Sequence, residues 1–198
     1  MAFTKTPRSI GRLSLLAGTR KIDKITGLGG TAAFTGDGND LLTGRGVTRK
    51  GYILPSLLVG GNGDDRYVVE RGSFSVISDQ GNGNDTLDLS ALFESSTYFI
   101  RLDKGVIVIS DGNTIVAVHE PFSGKKTEIE KVIFSGKTWT PNSLYSYAIK
   151  RGASLGASTF ASLERLGLFN FPIVGLSSSG GGIDSIISAA SYNSQIIA

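Results

Sequence analysis

The sequence predicts a chain dominated by β-structure with a partly helical C-terminal segment, and two observations carry that expectation. Glycine occurs 27 times in 198 residues, about twice its average share of roughly 7%, and the glycines cluster with Asn and Asp in tight-turn chemistry. Between and after those clusters run short stretches of β-branched and aromatic residues, the composition of strands. A hydrophobic fraction of 40% against 19% charged residues is enough for a packed core and argues against wholesale disorder.

Taken in order, residues 1–25 read as an N-terminal extension. Lys5, Arg8 and Arg12 precede Leu13-Ser14-Leu15-Leu16-Ala17-Gly18. That stretch is shorter than the core of a secretory signal, and Arg20 and Lys21 follow at once, so no cleavable signal is expected. No run approaches about 18 apolar residues, so no spanning helix is expected.

Residues 26–90 contain an internal repeat. Gly60-Gly61-Asn62-Gly63-Asp64-Asp65-Arg66-Tyr67-Val68 fits G-G-x-G-x-D-x-U-x in full, U being a large apolar residue. Thr35-Gly36-Asp37-Gly38-Asn39-Asp40-Leu41-Leu42-Thr43 and Gln80-Gly81-Asn82-Gly83-Asn84-Asp85-Thr86-Leu87-Asp88 fit with Thr or Gln in place of the first Gly. A fainter copy, Thr26 to Phe34, carries Thr31 where the Asp belongs. The segments resemble the repeats-in-toxin nonapeptides, also called haemolysin-type calcium-binding repeats. That resemblance implies a short parallel β-roll in which six residues turn around a calcium ion and three form a strand with U pointing inward.

The residue types agree with that chemistry. Calcium takes 6–8 oxygen ligands, more than one Asp per turn can supply, so main-chain carbonyls must converge in a sharply bent backbone. The candidate calcium-binding residues are Gly36, Gly38 and Asp40, then Gly60, Asn62, Gly63 and Asp65, then Gly81, Gly83 and Asp85. In an ideal roll, same-side positions recur every 18 residues or so. Asp40, Asp65 and Asp85 are therefore expected to stack on one side with modified half-turns between. Two calcium sites follow, one on each side of the Asp65 loop. The interval Gly44 to Val59, with Arg45, Arg49, Lys50 and Pro55, is expected to bulge as a loop. Ordinary Gly-Asn-Gly-Asp hairpin turns, or a roll without metal, are the competing readings.

Residues 91–140 are expected to form a β-sandwich-like extension that caps the roll. Tyr98–Leu102, Val106–Ile109 and Thr114–Val118 read as strands separated by Asp103-Lys104-Gly105 and Asp111-Gly112-Asn113. Glu128–Phe134 and Gly136–Thr140 read as a closing strand pair. Residues 141–198 are low in charge, with helices expected over Asn142–Arg151 and Ser158–Leu168. The segment resembles the uncleaved C-terminal signals of type I secretion; a tail that packs on the domain or on another copy is the alternative.

Catalytic chemistry is not expected. The chain has no Cys and one His, His119, so an H-E-x-x-H zinc site is impossible and no G-x-S-x-G elbow is present. Basic residues are dispersed, with no nucleic-acid stripe. The expected function is that of a secreted, calcium-dependent structural, adhesion or surface-assembly protein, with homo-oligomers or filaments as a possible outcome. The main alternative is a non-catalytic module for acidic polysaccharides, using Arg45, Arg49, Lys50, Arg66 and Arg71. A small hydrolase or lyase is a third reading.

Overall fold

Short strand-forming runs of at most seven residues, many bounded by glycine-bearing turns, wind the chain back and forth between two sheets. The computed structural model describes residues 4–5, 14–49, 52–79, 81–101, 106–119 and 129–156. One sheet holds β1 (Thr4–Lys5), β3 (Lys24–Leu28), β5 (Leu41–Arg45), β9 (Arg66–Val69), β11 (Thr86–Asp88), β15 (Lys131–Phe134) and β16 (Lys137–Trp139), side by side in that order. The other holds, from one edge to the opposite one, β2 (Ser14–Ala17), β4 (Thr31–Asp37), β8 (Ser56–Asn62), β10 (Phe74–Ile77), β14 (Ile115–His119), β13 (Val106–Ser110), β12 (Tyr98–Arg101) and β17 (Ser154–Gly156).

From β1 to β15 in the first sheet, and from β2 to β14 in the second, every pairing is parallel. Successive strands from β2 to β11 alternate between the sheets, apart from one inserted hairpin. Within these two sheets antiparallel pairings enter only with β12, β13 and β16. The chain is thus an all-β-dominated protein with two mixed sheets and one described helix.

The core lies between the sheets. Side chains alternate along each strand, and the inward set includes Leu16, Leu42, Leu58, Tyr67, Ile77, Leu87, Val116 and Val132. One contiguous cluster runs from Leu16 to Ala148, so the segments read from sequence as roll, extension and tail contribute to the same interior. Residues 1–25, read as an extension, include β1 and β2, which pair into the two sheets.

The interval expected to bulge as a loop is instead a hairpin, β6 (Val47–Arg49) with β7 (Tyr52–Leu54), forming a small sheet of its own. β-branched and aromatic residues on both sides of Lys50-Gly51 favour strands there. Pro55 is buried, and its carbonyl accepts Gly30 N–H at 3.0 Å. The expected strands of residues 98–118 are present, as is the closing pair.

The helix α1 (Pro141–Lys150) begins at Thr140, whose side chain accepts Ser143 N–H in a reciprocal capping box, with Pro141 in the first turn. Leu144 and Ala148 enter the core. Trp139 stacks on Tyr147 at 4.9 Å. Arg151 donates to the carbonyls of Glu94 and Thr97, fastening the end of the helix to a 3-10 turn at Glu94–Ser96. The expected helix over Ser158–Leu168 and the apolar terminus at Gln195–Ala198 lie outside the described residues.

Candidate metal centre

The three nonapeptide loops stack. Asp40 N–H donates to Asp65 Oδ1, and Asp65 N–H to Asp85 Oδ1, both at 2.8 Å. The ladder extends beyond the repeats at each end: Asp23 N–H donates to Asp40 Oδ1 at 2.7 Å, and Asp85 N–H donates to Glu130 Oε2 at 2.7 Å. A second ladder uses the fifth repeat position, with Asp64 N–H on Asn39 Oδ1 and Asn84 N–H on Asp64 Oδ1. A third uses the third position, where Asn62 donates through Nδ2 to Asp37 and accepts Asn82 N–H at 3.3 Å. The middle loop alone thus caps three main-chain donors of its neighbours, through Asp65, Asp64 and Asn62.

This stacking explains the glycines more fully than turn geometry alone. Gly63 has φ of 122°, a region that L side chains avoid. At Gly61, Gly81 and Gly83 the demand is space: a Cβ would overlap the carbonyl oxygen of Gly36, Gly61 and Gly63 respectively, in the layer before. Layers approach main chain to main chain, and only hydrogen fits between them.

Beneath the third loop three carboxylates converge. Ligand oxygens of Asp65, Asp79 and Asp85 lie within 4.8 Å of one another, and all three residues are buried. Asp65 Oδ2 accepts Gly61 N–H at 3.0 Å, and Asp79 Oδ1 accepts Gly81 N–H at 2.9 Å. Asp79 Oδ2 is buried with no hydrogen-bond partner. The two ion pairs among the described residues, Arg45 with Glu70 and Arg66 with Asp88, involve none of the three. Burial, the largest cause, pushes the Asp65 carboxyl up to about 6 despite hydrogen bonds from the Asp40 and Gly61 main chain. Asp85 is raised as well, again chiefly by burial, with the charge of Asp79 adding to it. Three buried acids packed this way, with none of the described ion pairs reaching them, repel one another when ionised, and they either hold protons or gather a cation.

Tyr67 closes the floor. Its ring lies in the core, and its hydroxyl accepts Gly60 N–H at 2.8 Å. A Cβ at Gly60 would overlap both Asp65 Oδ2 and the Tyr67 hydroxyl, which is why the complete repeat carries its first glycine. Burial raises the Tyr67 hydroxyl above its ordinary range, so it stays protonated.

Of the residues singled out in the sequence, Asp65 and Asp85 meet in this cluster. Asp40 lies one layer away, its Oδ2 buried and unpartnered close in sequence to the equally unpartnered Thr35 Oγ1. Gly36, Gly38, Gly60, Gly63, Gly81 and Gly83 form the stacked backbone, and Asn62 belongs to the outer ladder. Sequence reasoning missed Asp79, Asp23 and Glu130. Asp79 precedes the third repeat, outside the nonapeptide template. Asp23 stands 17 residues before Asp40, close to the same-side period, and that spacing could have revealed it. Glu130 is 45 residues beyond Asp85, too far for any repeat to mark.

The basic residues considered for acidic polysaccharide are partly engaged elsewhere. Arg45 pairs with Glu70 at 2.7 Å, Arg66 with Asp88 at 2.5 Å, and the Arg71 guanidinium lies 3.6 Å from the Phe93 ring centroid. The side chains of Arg49 and Lys50 lie outside the described residues. No protein-family model matches the chain, and no curated protein matches it.

Proposed function

We propose that the stacked loops bind calcium and that the chain is a secreted structural or adhesion protein whose two sheets form a short parallel β-roll on binding it. The observation that carries this reading is the Asp65–Asp79–Asp85 cluster with the orphaned Asp79 Oδ2. An all-oxygen set of carboxylates suits a hard cation rather than zinc or copper. Asp65, Asp79 and Asp85 would hold the ion, and it would supply the positive charge the cluster lacks. Calcium is favoured over magnesium because irregular loops rich in main-chain carbonyls suit its larger and more variable coordination. The alternating parallel strands and the ladder of stacked loops are what a β-roll requires.

A calcium site filled at millimolar concentration outside the cell and empty in the cytosol would couple folding to export. The test is thermal unfolding and calorimetric titration of the full chain with calcium, with magnesium as control. At a calcium concentration well above Kd, the expected stabilisation is about 2 kcal/mol per site. Asp79→Asn removes the orphaned charge and is expected to weaken binding by on the order of 10-fold or more. No calcium-dependent change in melting or heat would defeat the reading.

A further inference from the structure

The chain contains four Asn–Gly or Asp–Gly pairs: Asp37-Gly38, Asn62-Gly63, Asn82-Gly83 and Asp111-Gly112. Such a pair can cyclise on itself. The main-chain nitrogen of the glycine attacks the side-chain carbonyl carbon of the residue before it, and a glycine has no Cβ to hinder the approach. The attack requires that nitrogen to give up its proton and to turn toward the side chain. An N–H held in a hydrogen bond does neither until the bond opens.

Three of the four nitrogens are held. Gly38 N–H donates to the Asn62 carbonyl at 2.8 Å, and Gly63 N–H to the Asn82 carbonyl at 2.7 Å. Both bonds run from one stacked loop to the next. Gly112 N–H donates to Ser110 Oγ at 3.1 Å. Gly83 belongs to the last nonapeptide loop, and its N–H has no acceptor among the described residues. The donors around it are engaged: Asn82 N–H on Asn62 Oδ1, Asn84 N–H on Asp64 Oδ1 and Asp85 N–H on Glu130 Oε2. Gly83 also does not share the φ of 133° and 122° that Gly38 and Gly63 hold at the same repeat position. Asn82 and Gly83 are both exposed, so water reaches them.

We infer that Asn82 is a self-modification site, and that stacking protects Asn62 from the same reaction. The Gly83 nitrogen bonds to Asn82 Cγ while the bond from Cγ to Nδ2 breaks. The proton lost from Gly83 N–H is balanced by the one gained by Nδ2, which leaves as ammonia. Water then adds to either carbonyl of the five-membered imide and opens it to an aspartyl or an isoaspartyl residue. Neither step needs an oxidant, a reductant or a cofactor. The aspartyl product adds a carboxylate to the outer row that holds Asp37 and Asn62. The isoaspartyl product puts one extra carbon into the main chain of the loop whose Asn82 carbonyl accepts Gly63 N–H. Either product alters the last layer of the stack first.

Asn62 supplies an internal control, so the test needs no variant. It stands in Gly61-Asn62-Gly63-Asp64, and Asn82 stands in Gly81-Asn82-Gly83-Asn84. The two asparagines therefore have the same immediate neighbours, and cleavage after Arg66 puts them on separate tryptic peptides. The full chain is incubated at neutral pH in calcium-containing buffer, where β-sheet circular dichroism marks it as folded, and in parallel in guanidinium. Peptide mass spectrometry that resolves aspartyl from isoaspartyl products follows both sites. The ratio of the Asn82 rate to the Asn62 rate is expected to be on the order of 10-fold higher in the folded chain than in the unfolded one, since Asn62 must wait for its loop to open. A ratio that is unchanged or lower in the folded chain would overturn the inference. So would a folded chain with no isoaspartyl product at Asn82 over the time in which the unfolded chain converts. The reacting group is a main-chain amide rather than a cation ligand, so the result stands apart from the proposed function.

Discussion

Gly81 has no positive φ among the glycines that do, yet it has the least room, since a Cβ there would overlap the Gly61 carbonyl. Gly81→Ala is therefore expected to destabilise by about 2–3 kcal/mol, because two main chains must separate. Gly136→Ala, at φ of 70° but with open space around it, is expected to cost about 1 kcal/mol from backbone strain alone. Denaturant midpoints of the two variants check the order. The carboxylate cluster makes a second residue-scale prediction. Burial raises Asp65 to about 6 and raises Asp85 too, whereas unfolded carboxyls titrate near 4. Over that interval the folded state holds more protons than the unfolded state, so its stability falls as pH rises. Asp88 works the other way. Burial pushes it up, but hydrogen bonds from Arg66 and Ser90 outweigh this and lower it, so its contribution is present above about pH 4 and lost below. The cation-free protein should melt highest near pH 4–5 and progressively lower toward pH 8, and Asp65→Asn should flatten that alkaline limb. Thermal scans in chelator decide it: a profile that rises from pH 5 to 8 would show that these acids are not the controlling groups. Asp65 and Asp85 were legible in the sequence because a nine-residue template marks them. Asp79 was not, because its role comes from an offset between layers: Ile77 registers with Leu58, 19 residues back, while Asp85 stacks on Asp65, 20 residues back.

At the scale of elements, short β-branched runs bounded by glycine turns were readable because a strand of four or five residues needs little more than local composition. Helix α1 falls within a residue of the span expected, Asn142–Arg151, at each end. The hairpin β6–β7 was not, since Arg45, Arg49, Lys50 and Pro55 gave the interval a loop's polarity. Its strands are only three residues each, too short for alternation to register. The sheet partner of β12–β14 was equally hidden. β14 lies beside β10 in parallel, a long-range pairing that hairpin chemistry between neighbours cannot announce. The cap of α1 carries a prediction of its own. Thr140 and Ser143 satisfy each other's main-chain donors at the helix start, so Thr140→Ala is expected to cost about 1 kcal/mol, or a fall of about 2–4 °C in melting temperature for a chain of this size. Scanning calorimetry of the two proteins measures it. A loss several-fold larger would mean that the helix start is holding more than its own first turn.

For the whole molecule, the winding pattern links the sheets layer by layer. A strand in one sheet is followed by a strand in the other, so each layer contacts mainly the layers before and after it, as in a repeat stack. A local reinforcement should then be felt most by its immediate neighbours. Asp65 and Asp85 sit at the starts of β9 and β11, and Asp79 follows β10. If calcium binds the cluster, amide exchange should slow most in β9, β10 and β11, less in β8 and β5, and least in β3 and β2, where Asp23 and the exposed β2 edge lie. The carboxylate ladder gives the effect a route, because Asp65 N–H donates to Asp85 and Asp40 N–H to Asp65, so fixing the later carboxylates also fixes the donors of the earlier layers. Hydrogen exchange with and without calcium tests this on the full chain. A protection gain centred on β3–β5 would move the cation to the Asp23–Asp40 layers, where Asp40 Oδ2 and Thr35 Oγ1 are also buried without partners. A gain of equal size in every strand would mean that the sheets form as one cooperative unit rather than layer by layer.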